Sequence, residues 1–348
     1  MKFGWRGALG VALSAFLLWL TLRGENLGDV WGILATSSIG WWIACVVTAT
    51  AIFPLRARRW QAILAPLGER IPVAPLWHAT AIGMMVNNVF PARAGEFARA
   101  FALSRSRPEV KFTAAFASLV VDRLFDGTVV IGLLLVATLD PRFPTDATVF
   151  GWTAGQIAMT AAVFLGGVLV VLGGLVLFPV QIIGLGERTV GRVWRAGGAK
   201  VRGLLEAFAS GLGVLRSGML VLEVLWWTLL HWLMNAFAFW CAFQALEIEA
   251  PFTATFFLQG LIAIGVALPS SPGFFGPFEL AGKAGLSLYG VSGAQAVSWA
   301  LGFHLLSFVP ITVLGAWYFT RMHLHLSDLA GKREAAMNAG PIPTQAEH

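Results

Sequence analysis

The sequence GAQAVSWALGFHLLSFVPITVLGAWYFT, residues 293–320, contains no aspartate, glutamate, lysine or arginine. A helix rises about 1.5 Å per residue, so a run of this length can cross the roughly 30 Å hydrocarbon core of a bilayer. Five further apolar runs, the second of them shorter, lie at 5–22, 40–55, 112–139, 150–179 and 219–244. The sequence therefore predicts an all-α polytopic membrane protein with about six full transmembrane helices.

The composition supports this class of protein. The chain has 348 residues, of which 57% are hydrophobic and 12% charged, and its mean hydropathy is +0.75. A soluble domain carries about a quarter charged residues. The net charge of +6 is spread over short loops, which excludes a nucleic-acid surface. The two cysteines lie in apolar runs and predict packing residues, with no disulfide framework.

Two other apolar regions, 76–105 and 253–290, are interrupted by PARAGE (91–96) and PSSPGFFGPFE (269–279). Each predicts a helix, a non-helical turn and a second helix. Lysine and arginine favour cytoplasmic loops, and their distribution predicts that both termini are cytoplasmic. It also predicts an even number of crossings in each interrupted region, either as a re-entrant helical hairpin or as two tilted full spans.

The chain divides into two halves with the same order of elements. Each half, about 5–139 and about 150–320, contains two spans, a broken hairpin and a third span. Three crossings per half would make an inverted repeat, in which interrupted helices point to a transport site near the membrane midplane. We expect one membrane domain over 1–326, with a cytoplasmic amphipathic insertion at 181–218 and a disordered cytoplasmic tail at 327–348.

The predicted span 112–139 carries three charged side chains, Asp122, Arg123 and Asp126. A spacing of four places both aspartates on one helix face, and Arg123 can pair with Asp126 at i,i+3. Charges at membrane depth are costly and face a partner or a cavity. Two carboxylates and one arginine therefore predict a second cation nearby.

Arg93 and Arg99 flank Glu96 on the first broken hairpin and are the candidates for that cation. We hypothesise that these charged residues line a cavity open to the cytoplasm; the alternative is an ion network that only fixes helix packing. Asn87 and Asn88 precede the break and can bond freed backbone groups or a ligand. The residues predicted to bind or translocate a substrate are Asn87, Asn88, Pro91, Arg93, Gly95, Glu96, Arg99, Asp122, Arg123, Asp126, Pro269, Ser270, Pro272, Gly273, Gly276 and Glu279.

The remaining ionisable residues in apolar segments suggest structural roles. Glu279 and Lys283 are spaced i,i+4 after the second break, which predicts a salt bridge within one helix. His231 and His304 are each expected to be satisfied by a neighbour. No metal-ligand spacing, phosphate loop or dinucleotide fingerprint occurs, so neither a cofactor nor a metal is predicted.

Several segments together carry a family resemblance. NNVFPARAGEFARAF (87–101), VVDRLFDG (120–127) and LPSSPGFFGPFE (268–279), with the RARRW run (56–60), resemble the lysylphosphatidylglycerol synthase transmembrane-region family of flippase-like membrane proteins. The resemblance covers about 5–320, and Asp122 stands where the family commonly has glutamate. It implies translocation of a lipid and not synthesis, because the soluble synthase domain of the best understood members is not expected here.

These observations predict a flippase-like transporter that moves a polar- or charged-headgroup lipid, a phospholipid or lipid-linked precursor, across the cytoplasmic membrane. Arginines suit a phosphate because the guanidinium makes paired bonds with it. One alternative is a membrane-embedded enzyme or accessory subunit in phospholipid or lipid-linked sugar synthesis. Another is a scaffold that recruits a partner through 181–218. The expected partners are membrane lipids and a lipid-synthesis or glycosyltransferase protein.

Overall fold

The computed structural model describes residues 5–68, 70–90, 94–149, 151–193, 217–267, 271–322 and 324. These residues are helical apart from short connections and one antiparallel pairing of two-residue strands, β1 Thr148–Val149 with β2 Trp152–Thr153. The helices up to that pairing are α1 Trp5–Leu22, α2 Leu27–Thr36, α3 Ile39–Leu64, α4 Val73–Val89, α5 Gly95–Ser106 and α6 Phe112–Ala137. Those after it are α7 Ala154–Leu177, α8 Pro179–Val193, α9 Gly218–Ala245, α10 Ala254–Ala267, α11 Pro277–Ser287 and α12 Gly293–Arg321. Short 3-10 turns lie at Ala65–Leu67 and Pro272–Phe274.

Three helices, α3, α9 and α12, are each long and apolar enough to cross a membrane. Their outward faces are lined by exposed apolar side chains at a spacing of four, such as Ile43 with Val47, Leu222 with Trp226, and Val309 with Val313. A stripe of this kind is stable against lipid but not against water. The chain is therefore a multi-pass helical membrane protein, as its composition predicts.

The centre of the molecule is formed by α3 packed against α9. Small buried side chains, including Cys45 and Ala49 on α3 and Cys241 and Ala242 on α9, line the core between the helices. Small residues let membrane helices approach closely, which increases their van der Waals contact. Both thiols are free and buried, which confirms that the cysteines are packing residues.

In both interrupted regions the two predicted helices are present, one on each side of the break. In the first region α4 packs against α5, and in the second α10 packs against α11. The first helix of each pair also packs against the other half of the chain, α4 against α12 and α10 against α6. The turn residues 91–93 and 268–270 lie outside the described residues.

The second break depends on glycine backbone geometry. Gly276 has a φ of 96°, a left-handed value that L side chains rarely adopt. A Cβ atom at Gly276 would also overlap the backbone carbonyl of Ser14 on α1. Gly276 therefore lets the chain turn into α11 while the break stays in contact with α1.

One predicted boundary differs from the structure. The second span is predicted to end at residue 55, but α3 continues through the RARRW run to Leu64 and buries Arg56 and Arg59. Burial of Arg59 is compensated by carboxylates on α6. Residues 27–36 form an additional helix, α2, and of the 181–218 insertion the described residues are 181–193 and 217–218.

The loop after α6 is fixed to the start of α10. Thr253 Oγ1 donates to Asp140 Oδ2 at 2.6 Å. A hydrogen bond from Arg142, followed by that from Thr253, lowers the pKa of Asp140 to about 2. This loop therefore anchors the start of the second interrupted region to the end of α6.

Candidate functional site

Arg59 of α3 joins the two aspartates of α6. Its Nε lies 2.7 Å from Asp122 Oδ1, and its Nη1 lies 2.5 Å from Asp126 Oδ1. The side chain of Arg59 is fully buried. The prediction that both aspartates share one helix face is confirmed. Their shared partner, Arg59, lies beyond the predicted end of the second span.

The second cation predicted for this face is Arg99 of α5. Its Nη1 lies 3.0 Å from Asp122 Oδ2. The guanidinium also stacks 4.1 Å from the ring centroid of Trp60, and Trp60 Nε1 donates to Ser118 Oγ at 2.8 Å. Arg93, the other candidate, lies outside the described residues, as does Pro91.

Arg123 extends the cluster to its open edge. It forms an ion pair with Glu96 at the start of α5 and lies 3.6 Å from Asp126 Oδ2, which confirms the predicted i,i+3 pair. The Arg123 side chain is 49% exposed, whereas that of Asp126 is 8% exposed. Of the cluster, Arg123 is therefore the group placed to meet a ligand first.

The first hairpin is held by one asparagine and two glycines. Asn87 Oδ1 accepts from the Gly95 N–H at 2.8 Å, at the start of α5. A Cβ atom at Gly95 would overlap the Gly83 carbonyl and the Asn87 amide. Asn88 Nδ2 donates to Thr312 Oγ1 of α12 at 2.7 Å. Asn87 thus binds a backbone group at the start of α5, and Asn88 binds a side chain of a neighbouring helix.

Helix α9 contributes two residues that the sequence did not predict as part of this site. Trp232 Nε1 donates to Asp126 Oδ1 at 2.8 Å, and His231 Nδ1 lies 3.7 Å from the same oxygen. Both residues, like Arg59, approach the carboxylates only through helix packing. The RARRW run was the one local signal for the α3 arginines, since Arg56 and Arg59 are one helical turn apart.

An open cleft beside this cluster, of about 220 Å³ including the solvent at its mouth, lies between α3, α4, α5 and α6. Arg56 lines it, is buried, and has an Nε with no hydrogen-bond partner. Its Nη1 lies 3.6 Å from the sulfur of Met84. Arg99 also has unsatisfied Nε and Nη2 groups. Buried donors without partners cost about 1–3 kcal/mol each. The residues lining the cleft are Arg56, Thr80, Gly83, Met84, Asn87, Gly95, Glu96, Arg99 and Arg123.

The charges in this part of the described structure do not balance. The guanidinium groups are those of Arg56, Arg59, Arg99 and Arg123, and the carboxylates are those of Glu96, Asp122 and Asp126. Four cations against three anions leave one positive charge. Among the described side chains, Arg56 forms no ion pair, so the excess charge lies at the cleft. The site can accept an anion.

The second hairpin contains a separate polar pair. Glu279 is fully buried, accepts from the Gly276 N–H at 2.6 Å, and lies 2.5 Å from His304 Nδ1. Pro272 and Gly273 lie in the 3-10 turn that packs against α4, and Pro269 and Ser270 lie outside the described residues. The described site residues therefore fall into two clusters, one that joins the first hairpin to α6 and one at the second break.

One predicted contact in the second hairpin is wrong. Lys283 does not pair with Glu279; its Nζ lies 2.8 Å from Glu25 Oε1 and donates to the Thr21 carbonyl at 2.7 Å. Glu279 points instead toward α12, where its carboxylate contacts His304. The neighbour that satisfies His304 is thus the acidic side chain of Glu279. Within the described residues, no group of three or more His, Cys, Asp or Glu could hold a metal ion.

The described structure is therefore that of a helical membrane protein with a buried arginine cluster beside a broken hairpin. One arginine of that cluster has no acidic partner among the described residues. The family model described as lysylphosphatidylglycerol synthase TM region matches residues 7–315. The chain belongs to this family, which confirms the resemblance carried by its motifs.

Two curated relatives are similar to the chain. Glycosyltransferase AglD of Haloferax volcanii is 27% identical over 299 residues, which cover 78% of this chain and 47% of AglD. The chain thus spans about half the length of that relative. The UPF0104 membrane protein of Methanothermobacter thermautotrophicus is 24% identical over 322 residues, which cover 89% of this chain and 90% of the relative.

Proposed function

We propose that this protein is a flippase-like transporter that moves a lipid with a phosphate-bearing headgroup across the cytoplasmic membrane. The observation that carries the proposal is Arg56, which is buried at the cleft with an unsatisfied Nε and no ion pair among the described residues. A guanidinium binds a phosphate through paired, charge-assisted hydrogen bonds. A phosphate would also compensate the one excess positive charge.

The lining of the cleft favours a charged headgroup. Arg56, Arg99 and Arg123 all line it, so a phosphate would meet guanidinium groups there while the acyl chains stay in the bilayer. Arg123, half exposed at the edge, would meet the headgroup, and Arg56 and Arg99 would hold it further in.

We further propose six crossings and two re-entrant hairpins in an inverted repeat of 5–139 and 150–320, with both termini cytoplasmic. Two features support equivalent halves. The α4 to α12 packing corresponds to that of α10 with α6. Each hairpin contains a glycine twelve residues before the first residue of its second helix. Gly83 approaches the carbonyl of Gly95 in the first hairpin, and Gly265 approaches that of Pro277 in the second. Transporters use such interrupted, inverted halves for sites near the midplane.

The experiment that tests the proposal is lipid movement in liposomes. Purified protein is reconstituted with fluorescent phosphatidylglycerol or with a fluorescent lipid that has an uncharged, phosphate-free headgroup. We expect faster movement of the phosphate lipid than in empty vesicles, and loss of most of that gain in Arg56→Gln. Arg58→Gln is the matched control, because Arg58 lies two residues away and is exposed. Equal movement of both lipids, or full activity of Arg56→Gln, would contradict the proposal.

A second candidate is a membrane-embedded accessory of glycosyl transfer to a lipid. The similarity to glycosyltransferase AglD favours it. Under this proposal the arginine cleft would present a lipid-linked phosphate to a catalytic domain. A product of changed mass, formed from a total lipid extract with a sugar donor, would support it, and unchanged lipids would count against it.

A further inference from the structure

The Glu279 and His304 pair is the most completely buried acidic contact in the second half of the described structure. Glu279 is fully buried and His304 is 8% exposed at the side chain, with 2.5 Å between Nδ1 and Oε1. His304 lies near the middle of the 29-residue helix α12. The pair is therefore placed at membrane depth, away from either end of that helix.

Aromatic rings enclose the imidazole of His304. The ring of Phe275 stacks on it with centroids 4.5 Å apart, and that of Phe278 lies at 4.4 Å. Phe308 approaches edge-on at 6.2 Å. These rings offer no hydrogen bond, and among the described residues the second oxygen of Glu279 accepts from the Gly276 N–H.

No neighbouring charge compensates the pair among the described residues. Lys283, on the same helix as Glu279, forms an ion pair with Glu25. Helix α10 has no ionisable side chain. The other ionisable groups on the elements packed against α11 and α12 lie in other contacts or at the surface: Asp29, His78 stacked on Tyr318, the α3 arginines, Glu223 with Arg70, His231 with Asp126, Cys45, Cys241 and Arg321.

The charge of the pair depends on one proton. With a neutral imidazole and an ionised carboxylate, the pair carries one negative charge in apolar surroundings, which is costly. Adding one proton makes the pair neutral overall, whether the proton is on nitrogen or on oxygen. Uptake or release of one proton therefore changes the charge of the pair by one unit.

We infer that Glu279 and His304 form a proton-binding site that couples lipid movement to a proton gradient. This inference rests on the proposed transport function and adds its energy source. The geometry supplies a mechanical link, because Glu279 Oε2 holds the Gly276 N–H at the break of the second hairpin. Ser14 of α1 accepts from the Ser271 N–H at 2.7 Å on the other side of that break. A change of proton occupancy therefore acts on the contact between the hairpin and α1.

The first test uses liposomes of phosphatidylcholine with fluorescent phosphatidylglycerol and an imposed pH gradient. For one proton per lipid, we expect the wild-type leaflet ratio to change by up to about tenfold per pH unit. Glu279→Gln is expected to lose the dependence on the gradient. Glu223→Gln is the control and should keep it, because Glu223 is part of an ion pair with Arg70 at the protein surface. Wild-type movement that ignores the gradient would overturn the inference and leave the proposed function standing.

The second test does not require transport. Infrared difference spectra of the solubilised protein, recorded across the pH range, should contain carboxyl and imidazole bands that are lost in Glu279→Gln and His304→Gln. Bands identical in the wild type and both variants would overturn the proton site. If no lipid moved in the first test, the proposed function would fail, and these spectra would still decide whether the pair binds a proton.

Discussion

Arg59 and Asp126, 67 residues apart in the chain, meet through two contacts in the interior: Nη1 to Oδ1 at 2.5 Å and Nη2 to Oδ2 at 3.2 Å. Arg59 also contacts Asp122. One guanidinium on α3 thus contacts both carboxylates on α6 and fixes how these helices pack.

Replacing Arg59 with methionine should therefore destabilise the fold strongly. Removing one partner of a buried ion pair costs about 3–5 kcal/mol, because the remaining charges are left uncompensated. Thermal unfolding in detergent, followed by intrinsic tryptophan fluorescence, would measure the loss. The double variant Arg59→Met with Asp126→Asn should recover part of it, since Asp122 then keeps its pair with Arg99 and Arg123 keeps its pair with Glu96. A single variant as stable as the wild type would contradict this prediction.

Arg56 should behave in the opposite way in the same assay. It is buried one helical turn from Arg59 but forms no ion pair among the described residues. Arg56→Gln removes an uncompensated charge, so we expect stability equal to or above that of the wild type, together with loss of stabilisation by added phosphatidylglycerol. A large drop in melting temperature for Arg56→Gln would show that Arg56 is structural.

Gly95→Ala should disrupt the first hairpin. The new methyl group would overlap the Gly83 carbonyl and the Asn87 amide, and overpacking of this kind costs about 1–3 kcal/mol. The matched control is Gly127→Ala on α6, where nothing lies within 4 Å of the added carbon and the higher helix propensity of alanine should be neutral or stabilising. Equal melting temperatures for the two variants would refute the close approach of α4 and α5.

The Lys283 and Glu25 pair can be tested by charge exchange. Lys283→Glu should lower the melting temperature, because it replaces the ion pair with Glu25 by two neighbouring acidic groups. Adding Glu25→Lys should restore part of the loss, whereas adding Glu279→Lys should not. Rescue by Glu279→Lys instead would support the contact within α11 that the sequence spacing predicts.

The inverted arrangement predicts opposite accessibility of the two breaks. Single cysteines introduced at Ala94 and Ser271, in a background without Cys45 and Cys241, would be labelled with a membrane-impermeant maleimide in oriented membranes. We expect Ala94→Cys to react from the cytoplasmic side and Ser271→Cys from the outer side. Reaction of both from one side would reject the inverted repeat.

Local pattern was sufficient for part of this description. The apolar runs, the two breaks and the shared face of Asp122 and Asp126 follow from helix length and period, and these properties depend on neighbours along the chain. The Arg123 to Asp126 pair is of the same kind. The family membership also followed from short motifs that are contiguous in sequence.

Tertiary packing decided the rest. The sequence by itself determined that this is a helical membrane protein with charges at membrane depth. Only the structure showed that Arg59 compensates the aspartates, that Arg56 is left without an acid at the cleft, and that Glu279 turns from Lys283 to His304. The physical reason is that the partner of a buried charge is set by which helix faces meet, and nothing in the local spacing specifies those faces.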